Sequence, residues 1–172
     1  MPAPIPITEA ERLSELRSYA ILDTTAEAMF DRVVELAAAL TDCPVALISL
    51  VDAKRQWFLA RHGLDLAETP RDHAFCAHAI LNPTEPLLVE DAAKDDRFGA
   101  NPLVCGEPGI RFYAGMPVVS PEGRALGTLC VIDRKPRGLD DRQRESLVNL
   151  ALLAGTLLDL RRTARRGRVR VA

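Results

Sequence analysis

The feature that most constrains this chain is the change of hydrophobic period at Pro44. Ahead of it, Phe30, Val33, Val34, Ala37 and Leu40 recur three and four residues apart, the spacing of one helix face. Proline has no N–H to donate and crowds the turn before it, so a helix predicted over 26–40 stops by Asp42 or Cys43. Directly after it, Val45-Ala-Leu-Ile-Ser-Leu-Val51 is a short β-rich run, buried on at least one face. A turn at 52–55 leads into a second run over 56–61, closed by Gly63. Two strands joined by so short a turn pair antiparallel, which sets the character of the sheet.

Upstream, Thr8 followed by Glu11 has capping-box spacing, with Leu13, Leu16 and Ala20 behind it at helical intervals. Downstream, residues 63–109 are punctuated by proline at 70, 83, 86, 102 and 108. They offer only a short helix over 73–81 and a strand over 87–90. Irregular chain of this length in a compact domain covers or builds a site. Strands over 110–119 and 125–133 follow, joined by the turn Ser120-Pro-Glu-Gly-Arg124, and a helix over 140–162 closes the pattern. The expected fold class is α/β (α+β): an antiparallel sheet of five or six strands. Terminal helices cover one face, and pocket-forming loops and short helices cover the other. The expected division is a tail at 1–7, one domain at 8–162, and an Arg-rich tail or linker stub at 163–172.

A chain of 172 residues, 48% hydrophobic, suits one such domain with one sizeable core. The net charge of −2 gives no general pull toward nucleic acid or anionic membrane. Arg161, Arg162, Arg165, Arg166, Arg168 and Arg170 cluster without an acid, but no aromatics interleave them, so no specific nucleic-acid partner is expected. There is no bilayer-length apolar run and no signal-peptide core, so the expected location is the cytoplasm, without a membrane partner. Cys43, Cys76, Cys105 and Cys130 form no Cys-x-x-Cys pair and read as free thiols there. On the closing helix Leu147, Leu150, Ala154 and Leu157 make one seam, while Val148, Leu152, Leu153 and Leu160 occupy other faces. A helix apolar on so many sides packs on the sheet and on something else. A second copy of the chain is the favoured occupant, and the N-terminal helices are the alternative.

Eight segments, in order, resemble the GAF domain, in particular the bacterial sensory subgroup found ahead of histidine kinases and diguanylate cyclases. They are Arg55-Gln-Trp-Phe58, Gly63-Leu-Asp65, Glu68-Thr-Pro-Arg-Asp72, Phe75-Cys-Ala-His-Ala-Ile80, Asp96-Arg-Phe98, Asn101-Pro-Leu-Val104, Ile110-Arg-Phe-Tyr-Ala-Gly115 and Leu126-Gly-Thr-Leu-Cys-Val-Ile-Asp133. The resemblance implies a ligand pocket under the loops, a homodimer joined through the terminal helices, and a kinase or cyclase output partner. It leaves the ligand and any cofactor unknown, because the family is chemically diverse.

The candidate ligand-binding residues are Phe58, Cys76, His78, Asp91, Phe98, Arg111, Tyr113 and Cys130. Cys76 and His78 open the short helix. One reading is a thiol whose pKa is lowered by the helix N-terminus and the imidazole; the other is a small core residue beside a structural histidine. No metal site is expected, since familiar ligand spacing is missing. Alternation places Arg111 and Tyr113 on one face and Phe112 on the other. Arg111 is then a fork for a carboxylate or phosphate, or else an ion pair with Asp91 or Asp96. Arg97 reads as part of a turn. Trp57 and Phe58 either stack on a flat ligand or belong to the core.

Family resemblance also bears on what the pocket excludes. Bilin attachment in GAF domains uses Cys followed directly by His, whereas Ala77 intervenes here. The cyclic-nucleotide signature uses an Asn-Lys pair, and no lysine lies between Lys94 and Lys135. The alternative function is a thiol enzyme like the GAF branch that reduces free methionine-R-sulfoxide, with Cys105 and Cys76 as its catalytic thiols. That branch's third cysteine is missing, Cys130 and Ile132 replace its carboxylates, and Arg111 stands where it has a glutamate. Each lost charge-assisted hydrogen bond to a substrate amine is worth ~1.5–3 kcal/mol. The leading expectation is therefore a sensor that binds a small molecule or responds to redox state, rather than an enzyme.

Overall fold

A computed structural model describes residues 2–169; Met1 and the last three residues, Arg170 among them, lie outside the described residues. Helices α1 (Glu9–Ser18) and α2 (Ala28–Thr41) lead into β1 (Val45–Val51) and β2 (Arg55–His62). The middle segment holds β3 (Glu68–Pro70), a 3-10 turn at Arg71–His73, α3 (Phe75–Ala79), β4 (Leu87–Val89) and α4 (Pro102–Cys105). Strands β5 (Phe112–Val119) and β6 (Ala125–Asp133) and the long helix α5 (Asp141–Val169) complete the chain. The six strands form one sheet in the order β3-β2-β1-β6-β5-β4, with every neighbouring pair antiparallel.

Alternation along the strands divides the interior into two cores. Ala46, Ile48 and Leu50 of β1, Phe112, Ala114 and Met116 of β5, and Leu129 and Val131 of β6 bury one face. Phe30, Val34 and Ala37 of α2 and Leu147, Ala154 and Leu158 of α5 close over it. The opposite face packs Leu47, Phe58, Tyr113 and Cys130 against Phe75, Cys76, Ile80, Phe98 and Val104 of the middle segment. Residues two apart share a face, so each central strand contributes to both cores.

Several boundaries depart from the sequence expectations. Thr8 sits at the α1 N-cap, but its side chain makes no capping bond, so the capping box does not form. Glu9 instead pairs with Arg12 and Arg71 in a buried cluster that ties α1 to the turn after β3. The helix expected over 73–81 breaks at Ala74, whose extended backbone separates the 3-10 turn from α3. Both β3 and α4 lie in chain expected to be loop; a three-residue strand and a single helical turn are too short to show a period. The closing helix runs on past 162 to Val169, so the segment expected as an Arg-rich tail or linker stub is helical over 163–169. Arg161 pairs with Glu27 at 2.5 Å and Arg162 with Glu15 at 2.7 Å just before this extension, and within it Arg165 donates to the Ala20 carbonyl. Leu36 and Leu40 of α2 and Leu152, Leu153 and Leu160 of α5 remain exposed, so the N-terminal helices do not cover the whole apolar surface of α5.

Candidate functional site

The middle segment is locked onto the sheet by aromatics. Phe75, at the start of α3, stacks on Phe98 with ring centroids 4.0 Å apart and tilts against Tyr113 at 5.0 Å. Asn101 adds a polar tie: its amide donates to the His73 carbonyl at 3.0 Å, and its side-chain oxygen caps α4. These contacts set α3 over β5 and β6, with the Cys76 side chain turned to the sheet.

There Cys76 meets a polar cluster inside an otherwise apolar layer. Thr128 Oγ1 donates to Cys76 Sγ at 3.0 Å, and Tyr113 Oη donates to the same sulfur at 3.2 Å. Ser49 is paired across the sheet with Thr128, and Cys130 with Gly115. Ser49 Oγ is buried and finds no hydrogen-bond partner among the described residues, although it lies against Cys76 and favours its charged form. Gly115 makes the arrangement possible. A Cβ there would stand 2.1 Å from Tyr113 Oη, so only glycine lets the phenol cross β5 toward Cys76.

Burial by itself raises the pKa of a thiol. At Cys76 that effect is outweighed by hydrogen bonding from Cys130, Thr128 and Tyr113 and by the nearby Ser49 hydroxyl, and the thiol falls below its ordinary range. Cys130 moves the other way, well above the usual thiol value, because it shares a proton with Cys76 and is buried. Tyr113 is pushed up by burial and by the neighbouring sulfurs. The helix N-terminus and His78, the sources one sequence reading offered, are not among the main causes of the lowered Cys76 value: α3 is five residues long, and His78 packs edge-on against Phe98 with centroids 4.7 Å apart.

A cavity of about 40 Å³ adjoins the cluster. Leu47, Gln56, Phe58, Cys76, Tyr113 and Cys130 line it, and the chain around Gly63, Leu103 and Pro108 forms its rim. It holds about three water molecules. Drug-sized ligands occupy several hundred Å³, so the space under the loops is a narrow slot. Gln56 Oε1 is a second buried acceptor without a partner among the described residues, while the amide nitrogen of the same side chain donates to Thr69 at 3.0 Å.

Of the candidate residues, Phe58, Cys76, Tyr113 and Cys130 come together on this cavity. The others do not. Phe98 is a fully buried core ring. Asp91 turns into its own loop, accepting from Ala93 N and pairing with Lys94 at 3.3 Å. Arg111 is neither an anion fork nor an ion pair with Asp91 or Asp96. Its guanidinium donates to the carbonyls of Val104 at 2.9 Å and Ile110 at 3.0 Å, where the loop curls back within reach. Arg97 belongs to its turn, bonded to Asp95 at 2.6 Å. Cys105 is exposed, and its thiol donates to the Gly99 carbonyl, off the cavity. Sequence reasoning missed Ser49, Thr128 and Gly115. The first two were visible as hydroxyl residues inside apolar strand runs. Among the described residues, no group of three or more His, Cys, Asp or Glu is placed to hold a metal ion.

The model of the GAF domain family matches residues 25–158. The chain belongs to the GAF family. A cyclic di-GMP phosphodiesterase of Pseudomonas aeruginosa is 45% identical over 151 residues, 87% of this chain and 26% of that protein. The chain thus spans about a quarter of the curated relative's length. Among solved structures, the GAF domain of an Acinetobacter phosphoenolpyruvate-protein phosphotransferase superposes with a TM-score of 0.65 at 20% identity, covering 89% of this chain and 93% of the other. The blue-light-absorbing PixJ GAF domain of Thermosynechococcus elongatus gives 0.64 at 17% identity, covering 91% and 94%. At such identities the structures establish the fold.

This GAF domain is a sensory domain, and the sulfoxide reductase alternative is not favoured. Of the two thiols that reading needs, Cys105 lies outside the cavity and Cys76 lines it. Cys130 and Ile132, where the reductase branch has carboxylates, give the cavity wall a thiol and a hydrocarbon instead.

Proposed function

We propose that this GAF domain is a non-catalytic sensory input of a longer cytoplasmic signalling protein, in which the state of the buried thiol–hydroxyl site biases a helical homodimer. The observation that carries this reading is the two-sidedness of β1 and β6. Ser49, Thr128 and Cys130 face the site, while Ile48, Leu50, Leu129 and Val131, their neighbours in the same strands, pack in the core under α2 and α5. A change at the site is one strand away from the helices. The stimulus is a small polar molecule or a change in thiol oxidation, which suits a slot of about 40 Å³. The output is a module of the histidine kinase or diguanylate cyclase kind, or a phosphodiesterase as in the Pseudomonas relative.

The exposed leucines at 36, 40, 153 and 160 supply the dimer surface, two copies of α2 and α5 forming a bundle. Light scattering on the eluted protein tests this. The wild type should run at twice the chain mass, and Leu153→Glu with Leu160→Glu at the chain mass with unchanged helicity. A wild type that is monomeric at micromolar concentration refutes the dimer.

A further inference from the structure

We propose that Cys76 and Cys130 are a hydroperoxide-reactive dithiol, oxidised to a disulfide that ties α3 to β6; this rests on reading the chain as a sensory domain and names the stimulus. Three independent features of the site converge on it. Both side chains line the same cavity. Thr128, two residues before Cys130 on the same face of β6, reaches Cys76 Sγ at 3.0 Å, and the Cys130 thiol lies within hydrogen-bonding reach of the same sulfur. Cys76 Sγ also accepts the Tyr113 hydroxyl at 3.2 Å, and two donors at one sulfur stabilise a thiolate while leaving those donors in place for a departing hydroxide.

Size supplies selectivity. Hydrogen peroxide, with two heavy atoms, fits a cavity that holds about three waters, whereas a bilin or nucleotide does not. The other thiols are placed away from the reaction. Cys105 is exposed off the cavity, and Cys43 lies in the core on the helix side of the sheet.

The chemistry balances with the peroxide as the only oxidant. The Cys76 thiolate attacks one peroxide oxygen, forming S–O as O–O breaks, and the departing hydroxide takes up the proton the thiol had released, leaving as water. Cys76 is then a sulfenic acid. Cys130 sulfur attacks it, S–S forms, S–O breaks, and the hydroxyl leaves as a second water with the Cys130 proton. Two electrons pass from the sulfurs to the peroxide.

The test uses the full chain carrying Cys105→Ser, treated with hydrogen peroxide, unfolded, alkylated and analysed by intact mass and peptide mapping. The expected product has lost two hydrogens, yields a Cys76–Cys130 linked peptide, and returns to the dithiol with dithiothreitol. With Cys130→Ser added, Cys76 should instead gain one oxygen and react with dimedone. Thr128→Val should slow oxidation roughly tenfold or more through loss of one donor to the thiolate. Free, alkylatable Cys76 and Cys130 after peroxide treatment overturn the proposal, as does a disulfide from Cys76 to any other cysteine. Light scattering on the same samples separates the two readings: an unreactive pair in a dimer refutes the dithiol alone, and a reactive pair in a monomer refutes only the helical output.

Discussion

Gly115→Ala is a small change with a calculable consequence. The added Cβ would lie 2.1 Å from Tyr113 Oη and 2.6 Å from Cζ. Ordinary contacts between carbon atoms fall near 3.5–4.0 Å, so the ring must retreat by roughly 1 Å. Tyr113 is only 1% exposed and wedged against Phe75, so it has no free space to enter. Overpacking of a tight core costs ~1–3 kcal/mol, and alanine recovers ~0.5–1 kcal/mol over glycine within a strand. The net expected loss is about 1–2 kcal/mol. Urea unfolding followed by the fluorescence of Trp57, the single tryptophan, measures it. The decisive control is the same substitution in a Tyr113→Leu background, where the ring is gone. There Gly115→Ala should be neutral or stabilising, and the difference between backgrounds is the coupling energy. An equal loss in both backgrounds refutes the argument that glycine is required to seat the phenol.

The Glu9 cluster predicts an acid dependence. Burial raises the Glu9 pKa, but hydrogen bonds from Arg12 and Arg71 outweigh it and bring the carboxyl from 4.5 to about 2. The folded value lies below the unfolded one, so this stabilisation is complete above pH 4.5 and fades as pH falls toward 2. Solvent screening of a carboxyl that is only partly enclosed reduces what the shift is worth, so Glu9→Gln should cost ~1–2 kcal/mol at neutral pH by leaving two buried guanidiniums without their anion. Thermal melts from pH 7 to 2 should show the stability gap between wild type and Glu9→Gln closing below pH 4.5; a gap that stays constant contradicts the assignment. Tyr19→Phe removes a 2.6 Å bond to Asp159 from a ring that lies 4.1 Å below the Arg162 guanidinium. It should lower stability by ~1–2 kcal/mol in the same urea assay, and an unchanged midpoint contradicts a role for Tyr19 in anchoring α5.

The fold was legible wherever a periodic run was long. The stop at Pro44, the β1–β2 hairpin and the β5–β6 hairpin all stand where residue spacing put them. Legibility failed in the middle segment, where β3 and α4 are shaped by what they pack on rather than by a pattern of their own. At the site, Phe58, Cys76, Tyr113 and Cys130 were identifiable by residue type and motif. His78, Phe98 and Arg111 lie in the same motifs and Asp91 between two of them, but they complete the aromatic stack or the turns that carry the site.

By itself the sequence determined the antiparallel sheet and the GAF assignment, because these follow from local period and from motif order. Only the tertiary structure decided that Cys76, distant in sequence from Thr128 and Cys130, shares a buried cluster with them, and that the cavity beside it is narrow. The physical reason is that spacing along a strand determines which way a side chain points, but not what meets it from the layer above. The pKa of the Cys76 thiol, set by four neighbours on three strands, exists only once those strands are side by side.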